Sequence, residues 1–187
     1  ERWSKNRPNE ANSTRYIRIN EIKNFCIYLN QIGYYSYIPK QIKCYQTTFT
    51  PYIFSKKELN SFFEACDTIK VKKQSTMKYI LPVIFRMIYG CGLRINEPLL
   101  LKCKDVNLDD GYIIIRKPKN DQERMLPLSN TLIQVCIQYK KHFPIKQKNN
   151  DYFYMQKNHC SYSSNTIYKW FRKILWKAGI PHGGKGK

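Results

Sequence analysis

The chain has 187 residues, long enough for one full domain plus a small one; 42% hydrophobic is ample for a core, and 25% charged is ordinary. Its 33 Lys and Arg against 13 Asp and Glu give a net charge of +20, distributed along the whole chain. Such a field attracts polyanions, with nucleic acid the leading partner, although an anionic membrane surface or a ribosomal RNA satisfies the charge equally well.

In chain order, residues 1–13 are polar, with a turn at Arg7-Pro8-Asn9-Glu10. The first residue is glutamate, so the reading expects further chain ahead of it. Apolar spacing predicts a helix from Ser13 to Leu29, with Ile17, Ile22, Phe25, Cys26 and Leu29 near one face. Gly33 stops it, and Tyr34 to Thr50, with Pro39 inside, reads as an extended connector. A domain boundary is expected around residues 48–52. Ser55-Lys56-Lys57-Glu58 is a capping box that opens a helix with Leu59, Phe62, Phe63, Cys66 and Ile69 as core residues. A basic turn, Lys70 to Lys73, leads to a longer helix over Thr76 to Tyr89, with Tyr79, Val83, Ile84 and Ile88 buried.

That helix is predicted to break at a double glycine, Gly90 and Gly92, because glycine tolerates the left-handed backbone that ends a helix. Arg94 and Glu97, three apart, then open the next helix on one face. Pro98 fits only in the first turn, so this helix starts no earlier than about Arg94. A β-branched strand, Tyr112 to Arg116, precedes a polar turn carrying Lys117 and Lys119 and a short return strand through Glu123-Arg124 to Pro127-Leu128. Ser129 caps a helix with Leu132, Val135, Cys136 and Tyr139 on one side, and Pro144 ends it. Asp151 to Met155 reads as a short strand. Ser163 or Ser164 caps the last helix, which turns Ile167, Trp170, Phe171 and Ile174 inward and Lys169, Arg172, Lys173 and Lys177 outward. The tail from Pro181 to Lys187 is glycine-rich but lacks the spacing and the Ser or Thr of a phosphate loop.

Seven cysteines form no Cys-x-x-Cys pair, and most occupy apolar helix positions as small hydrophobes. With no signal peptide and no apolar run near about 18 residues, the expected setting is a reduced cytoplasm, without zinc or a membrane span.

The stretch Gly92-Leu93-Arg94-Ile95-Asn96-Glu97, followed by the hairpin with Glu123-Arg124-Met125-Leu126-Pro127-Leu128, resembles the tyrosine recombinases, the phage-integrase family. In that family Gly-Leu-Arg-Ile-x-Glu holds the first catalytic arginine, and a hairpin lysine precedes a Glu-Arg-x-x-Pro-Leu return strand. Arg94 falls on that arginine. Aligning the return strands puts Lys119 on the lysine, and Lys117, two residues out, is the second choice. Type IB topoisomerases use similar chemistry, but this hairpin favours the recombinases. The resemblance implies a mainly α fold with a small antiparallel β-sheet. Residues 1–48 would be the end of the helical core-binding domain with its linker, and residues 52–187 the first part of the catalytic domain.

In the family a tyrosine attacks a DNA phosphodiester to leave a 3′-phosphotyrosine and a free 5′-hydroxyl, with no metal or nucleotide cofactor. A guanidinium suits the anionic phosphorane because its fork grips two non-bridging oxygens, the role the resemblance gives Arg94. Lys119 would protonate the departing 5′-oxygen, and Glu97 would support the arginine. Lys169, Arg172 and Lys173 would touch DNA; the plainer reading is a solvated helix face. The partners implied are double-stranded DNA and three further copies in a homo-tetramer. The family's His-x-x-Arg box and nucleophilic tyrosine have no counterpart in these residues, and Tyr152, Tyr154, Tyr162 and Tyr168 lie upstream of that box. The expectation is therefore DNA binding without strand cleavage by this stretch. The alternatives are a non-catalytic protein occupying recombination sites and a basic RNA-binding protein.

Overall fold

In the computed structural model, which describes residues 2–43, 50–72, 75–116 and 123–181, short-range chemistry sets most helix ends. Helix α2, Lys56–Thr68, begins with the reciprocal pair the sequence predicts: the Glu58 amide donates to Ser55 Oγ at 3.3 Å, and the Ser55 amide to Glu58 Oε2 at 2.8 Å. Ser129 caps α5, Asn130–His142, by accepting from the Leu132 amide. Ser163, rather than Ser164, caps α6, Ser164–Lys177, through the Thr166 amide. Each such cap satisfies a free amide and stabilises its helix by about 1 kcal/mol.

The chain forms two compact units, Glu1–Ile53 and Phe54–Lys187. In the first, α1 spans Asn12–Gln31. It ends where Gly33 takes φ +90° and the Tyr34 amide reaches back to the Leu29 carbonyl at 2.9 Å. The apolar stripe predicted for this helix is not buried: Ile17 and Phe25 are 59% and 56% exposed, and among the described residues of α1 only Ile19 is buried. The helix instead holds the preceding segment through charge. Arg18 pairs with Glu10 at 2.8 Å, and Arg15 Nε donates to the Ser4 carbonyl at 3.0 Å.

The second unit is built around α3, Met77–Cys91, which packs against α2, α5 and the short α4, Asn96–Leu100. Sequence spacing marks a single buried face on α3. In the fold Met77, Ile80, Leu81, Val83, Ile84, Phe85 and Met87 are all buried, while Tyr79 and Ile88 are half-buried. A helix covered on several sides by neighbours needs no polar face. Only one of the two predicted breaker glycines breaks it. Gly92 takes φ +61°, whereas Gly90 is helical, and a Cβ there would merely touch Leu132 Cδ2 at 3.5 Å. On α6, Ile167, Ile174 and Leu175 are buried, and Trp170 and Phe171 are half-buried against the core.

A three-stranded antiparallel sheet flanks the helices in the order β1 (Val106–Asn107), β2 (Tyr112–Ile115), β3 (Arg124–Pro127). β2 and β3 form the predicted hairpin, with Ile113 opposite Leu126 and Ile115 opposite Arg124. β1 is too short to carry a periodicity signal. The strand expected over 151–155 is absent: Tyr152 and Met155 make only isolated bridges, to Lys102 and Ser161. Phe153, Tyr154 and Met155 are buried consecutively, a pattern an alternating strand does not give. Their backbone is satisfied from outside: the Phe153 amide donates to the Leu101 carbonyl, and the Phe153 carbonyl accepts from Tyr139 Oη at 2.6 Å and Gln147 Nε2 at 2.8 Å.

Cys66 and Cys136 are buried as small hydrophobes, and desolvation pushes both thiols up to about 12. Among the described residues no helix is long and apolar enough to cross a membrane. The architecture is the mainly helical α+β class that the sequence predicts.

Candidate functional site

The turn after α3 sets where Arg94 goes. Gly92 turns the chain, and the Leu93 amide donates to the Ile88 carbonyl at 3.1 Å while its side chain buries. With Leu93 as the anchor, the next side chain faces outward, and Arg94 is 61% exposed. The Arg94 carbonyl accepts from the Glu97 amide at 2.9 Å, and the Arg94 amide donates back to Glu97 Oε2 at 2.8 Å. This is the geometry of a capping box, with an arginine supplying backbone rather than a side-chain cap. Pro98 lies within the first turn of α4, where its missing N–H leaves no intrahelical bond unmade. Arg94 accordingly sits just outside the helix, as the proline predicts.

Glu97 is the centre of the arrangement. Its side chain is only 7% exposed, and Oε2 also accepts from Arg124 Nη2 at 2.7 Å. Arg94 Nη1 lies 3.7 Å from the other oxygen, Oε1, within ion-pair range, but Oε1 accepts no hydrogen bond from the described residues. One buried carboxylate thus holds the backbone of the arginine turn and the side chain of the first residue of β3.

The base of the hairpin is clasped a second time. Arg116 Nε donates to Asp105 Oδ1 at 2.6 Å, and Arg116 Nη1 to Glu123 Oε2 at 3.1 Å. Asp105 is buried, and its hydrogen bond holds the Arg116 guanidinium above its ordinary pKa. The described residues on either side of 117–122, Arg116 with Glu123 and Arg124, are therefore all engaged in arginine–carboxylate contacts. Lys117 and Lys119 themselves lie outside the described residues, as does the tail from residue 182.

The basic residues of α6 are where the helix pattern puts them: Lys169, Arg172, Lys173 and Lys177 are exposed. Lys173 Nζ stands 4.7 Å over the Trp170 ring, and Lys177 Nζ donates to Thr68 Oγ1 at 2.7 Å. On its other side α6 shares an apolar cleft of about 310 Å³ with the arginine turn, lined by Phe85, Ile88, Ile95, Ile167 and Phe171 among others. The tyrosines excluded as nucleophiles have mostly structural surroundings. Tyr154 is fully buried with its hydroxyl on Met87 Sδ, desolvation pushing the phenol well up, and Tyr162 Oη shares a 2.6 Å hydrogen bond with Thr76 Oγ1.

Arg124 is the residue that sequence reading undervalued, since it served there only to align the return strand. A signal existed. Arg124 and Leu126 occupy the inward register of β3, opposite Ile115 and Ile113, so a cation stands where alternation calls for an apolar side chain.

Residues 53–184, well over half of the chain, match the model of the phage integrase family. The chain belongs to this family. Among similar relatives, the tyrosine recombinase XerA of Pyrococcus horikoshii is 28% identical over 106 residues, 54% of this chain and 36% of that protein. XerH of Helicobacter pylori is 27% identical over 135 residues, 70% of this chain and 36% of that protein. This integrase-family chain thus spans little more than a third of the length of those relatives. Its fold is shared with a Tn1549 transposon integrase in complex with a circular-intermediate DNA, at TM-score 0.73 and 15% identity, covering 96% of this chain and 63% of that one. It is also shared with XerH bound to palindromic difH in a post-cleavage complex, at TM-score 0.70 and 21% identity, covering 92% and 52%.

Proposed function

We propose that this chain forms the DNA-gripping body and part of the strand-transfer site of a site-specific recombinase whose whole parent cleaves and rejoins DNA through a 3′-phosphotyrosine. In this reading Arg94 holds the non-bridging oxygens of the scissile phosphate. As the tyrosine oxygen bonds to phosphorus, the bond to the 5′-oxygen breaks, and Lys119 gives that oxygen its proton, with Lys117 as the second choice. Glu97 supports Arg94 from the backbone side. The observation that carries the reading is the shared carboxylate: the Arg94 amide and Arg124 Nη2 meet on Glu97 Oε2 at 2.8 and 2.7 Å. Arg124 is five residues along the chain from Lys119, so the arginine turn and the lysine hairpin have a common anchor.

Lys169, Arg172 and Lys173 supply phosphate contacts along α6, and the unit ending near Ile53 is the tail of a core-binding domain. Solved relatives include a lambda integrase tetramer bound to a Holliday junction, and the parent of this chain is assigned the same homo-tetrameric assembly on duplex DNA. The 187 residues are expected to bind DNA without covalent capture, since none of their tyrosines follows a His-x-x-Arg box, the position the family gives its nucleophile.

Mobility-shift titration with labelled duplex DNA, with RNA as competitor, tests this. Duplex DNA is retained against RNA, and affinity falls steeply with salt because releasing condensed counterions gains less entropy as the bulk salt rises. The same mixtures leave no protein–DNA band on a denaturing gel. Equal competition by RNA supports the RNA-binding alternative, and a denaturation-resistant adduct overturns the assignment of a non-covalent complex.

A further inference from the structure

We infer that Arg124 is a positioning residue that keeps Arg94 available to phosphate by occupying the carboxylate that would otherwise capture it. The inference rests on the recombinase reading above and concerns how its arginine is held ready.

Glu97 is a buried anion with two guanidinium groups near it. One of them, Arg124, is hydrogen-bonded to Oε2 at 2.7 Å from a strand fixed in the sheet by its pairing with Ile115. The other, Arg94, is 61% exposed and stands 3.7 Å from Oε1, an oxygen with no hydrogen-bond partner among the described residues. A carboxylate this buried demands compensation by charge and hydrogen bonds. In the present arrangement Arg124 supplies it, and the Arg94 amide adds a further bond without engaging the arginine side chain. Remove the Arg124 charge, and the nearest remaining cation among the described residues is the Arg94 guanidinium, which needs to close only the last ångström to form the hydrogen-bonded pair. An arginine drawn onto Glu97 has its fork engaged and no longer faces solvent, where a DNA phosphate would arrive.

This competition differs from a simple brace. A brace predicts that losing Arg124 loosens the turn whatever Glu97 is. Competition predicts that neutralising Glu97 repairs the loss, because a glutamine still accepts from the Arg94 amide but no longer attracts the guanidinium.

The test is a set of duplex-DNA affinities for the whole chain, with melting curves confirming the fold of each variant. In the parent, Arg94→Ala weakens binding about tenfold, the effect of losing a strong phosphate contact. In Arg124→Met, the added Arg94→Ala change costs less than about twofold, because Arg94 is already withdrawn. In Arg124→Met with Glu97→Gln, the about tenfold cost returns. Should Arg124→Met fail to fold, Arg124→Gln, which offers Glu97 a donor without the charge, takes its place with the same outcomes. If Arg94→Ala costs as much in the Arg124 variant as in the parent, the inference is overturned and the recombinase reading stands. If the cost vanishes in the Arg124 variant but Glu97→Gln does not restore it, Arg124 is a brace and the competition is overturned. If Arg94→Ala has no effect in the parent, the role given to Arg94 fails, and the inference with it.

Discussion

Phe153→Ala is expected to destabilise the second unit by about 4 kcal/mol, the middle of the range for removing a large buried aromatic. Phe153 is fully buried, and its ring lies 5.2 Å from that of Tyr139 and 5.0 Å from that of Tyr154. Deleting it leaves a cavity and ends both ring pairings, each contributing about 1 kcal/mol beyond area burial. The backbone at this position magnifies the effect. It joins Leu101 through the amide and Tyr139 and Gln147 through the carbonyl, so little collapse into the cavity is possible without stretching buried hydrogen bonds. Calorimetry should show a melting temperature about 10 °C lower, whereas Met125→Ala, at a 62% exposed position, should shift it by no more than about 2 °C. Equal shifts for the two would show that the 153–155 segment is not part of the core.

The second large effect is expected at Glu97. Breaking a fully buried ion pair by removing one partner costs about 3–5 kcal/mol, but the Arg124 side chain is 38% exposed and water compensates part of its loss. A value of about 2 kcal/mol for Glu97→Ala follows, or roughly 5 °C in melting temperature. Glu97→Gln, which keeps an acceptor for the Arg94 amide, should lose about half as much. The alanine variant also frees the turn that presents Arg94, so weaker DNA binding should accompany the stability loss. A melting curve for Glu97→Ala within about 1 °C of the parent would remove the carboxylate from its assigned place.

The parts of the fold legible in the sequence are those decided within a few residues. Ser55 with Glu58, Ser129 and Ser163 cap their helices because the amide each must satisfy lies three residues on. Gly92 and Pro98 fix the start of the arginine turn by backbone geometry alone. The isoleucine run over 113–115 reads as a strand because it is β-branched, and alternate members are buried in the sheet. What escaped is non-local. Arg124 reaches Glu97 across 27 residues and Arg116 reaches Asp105 across 11, and no periodicity encodes such pairs. Residues 153–155 have the composition of a strand, but their burial on every side comes from the helices around them. The same holds for α1, whose apolar residues suggested a core face while its charged residues make the local contacts. At the site, Arg94 and Glu97 were readable from a motif. Lys119 was placed by the alignment of the return strand alone.

The central claim is that Arg94 and Lys119 serve one phosphate. Amine cross-linking tests it most directly. In an Arg94→Lys variant on duplex DNA, a short amine-reactive linker should join residue 94 to Lys119, identified by peptide mass spectrometry. A variant in which residue 94 links only to lysines outside the hairpin, while Lys119 links elsewhere, would contradict the account.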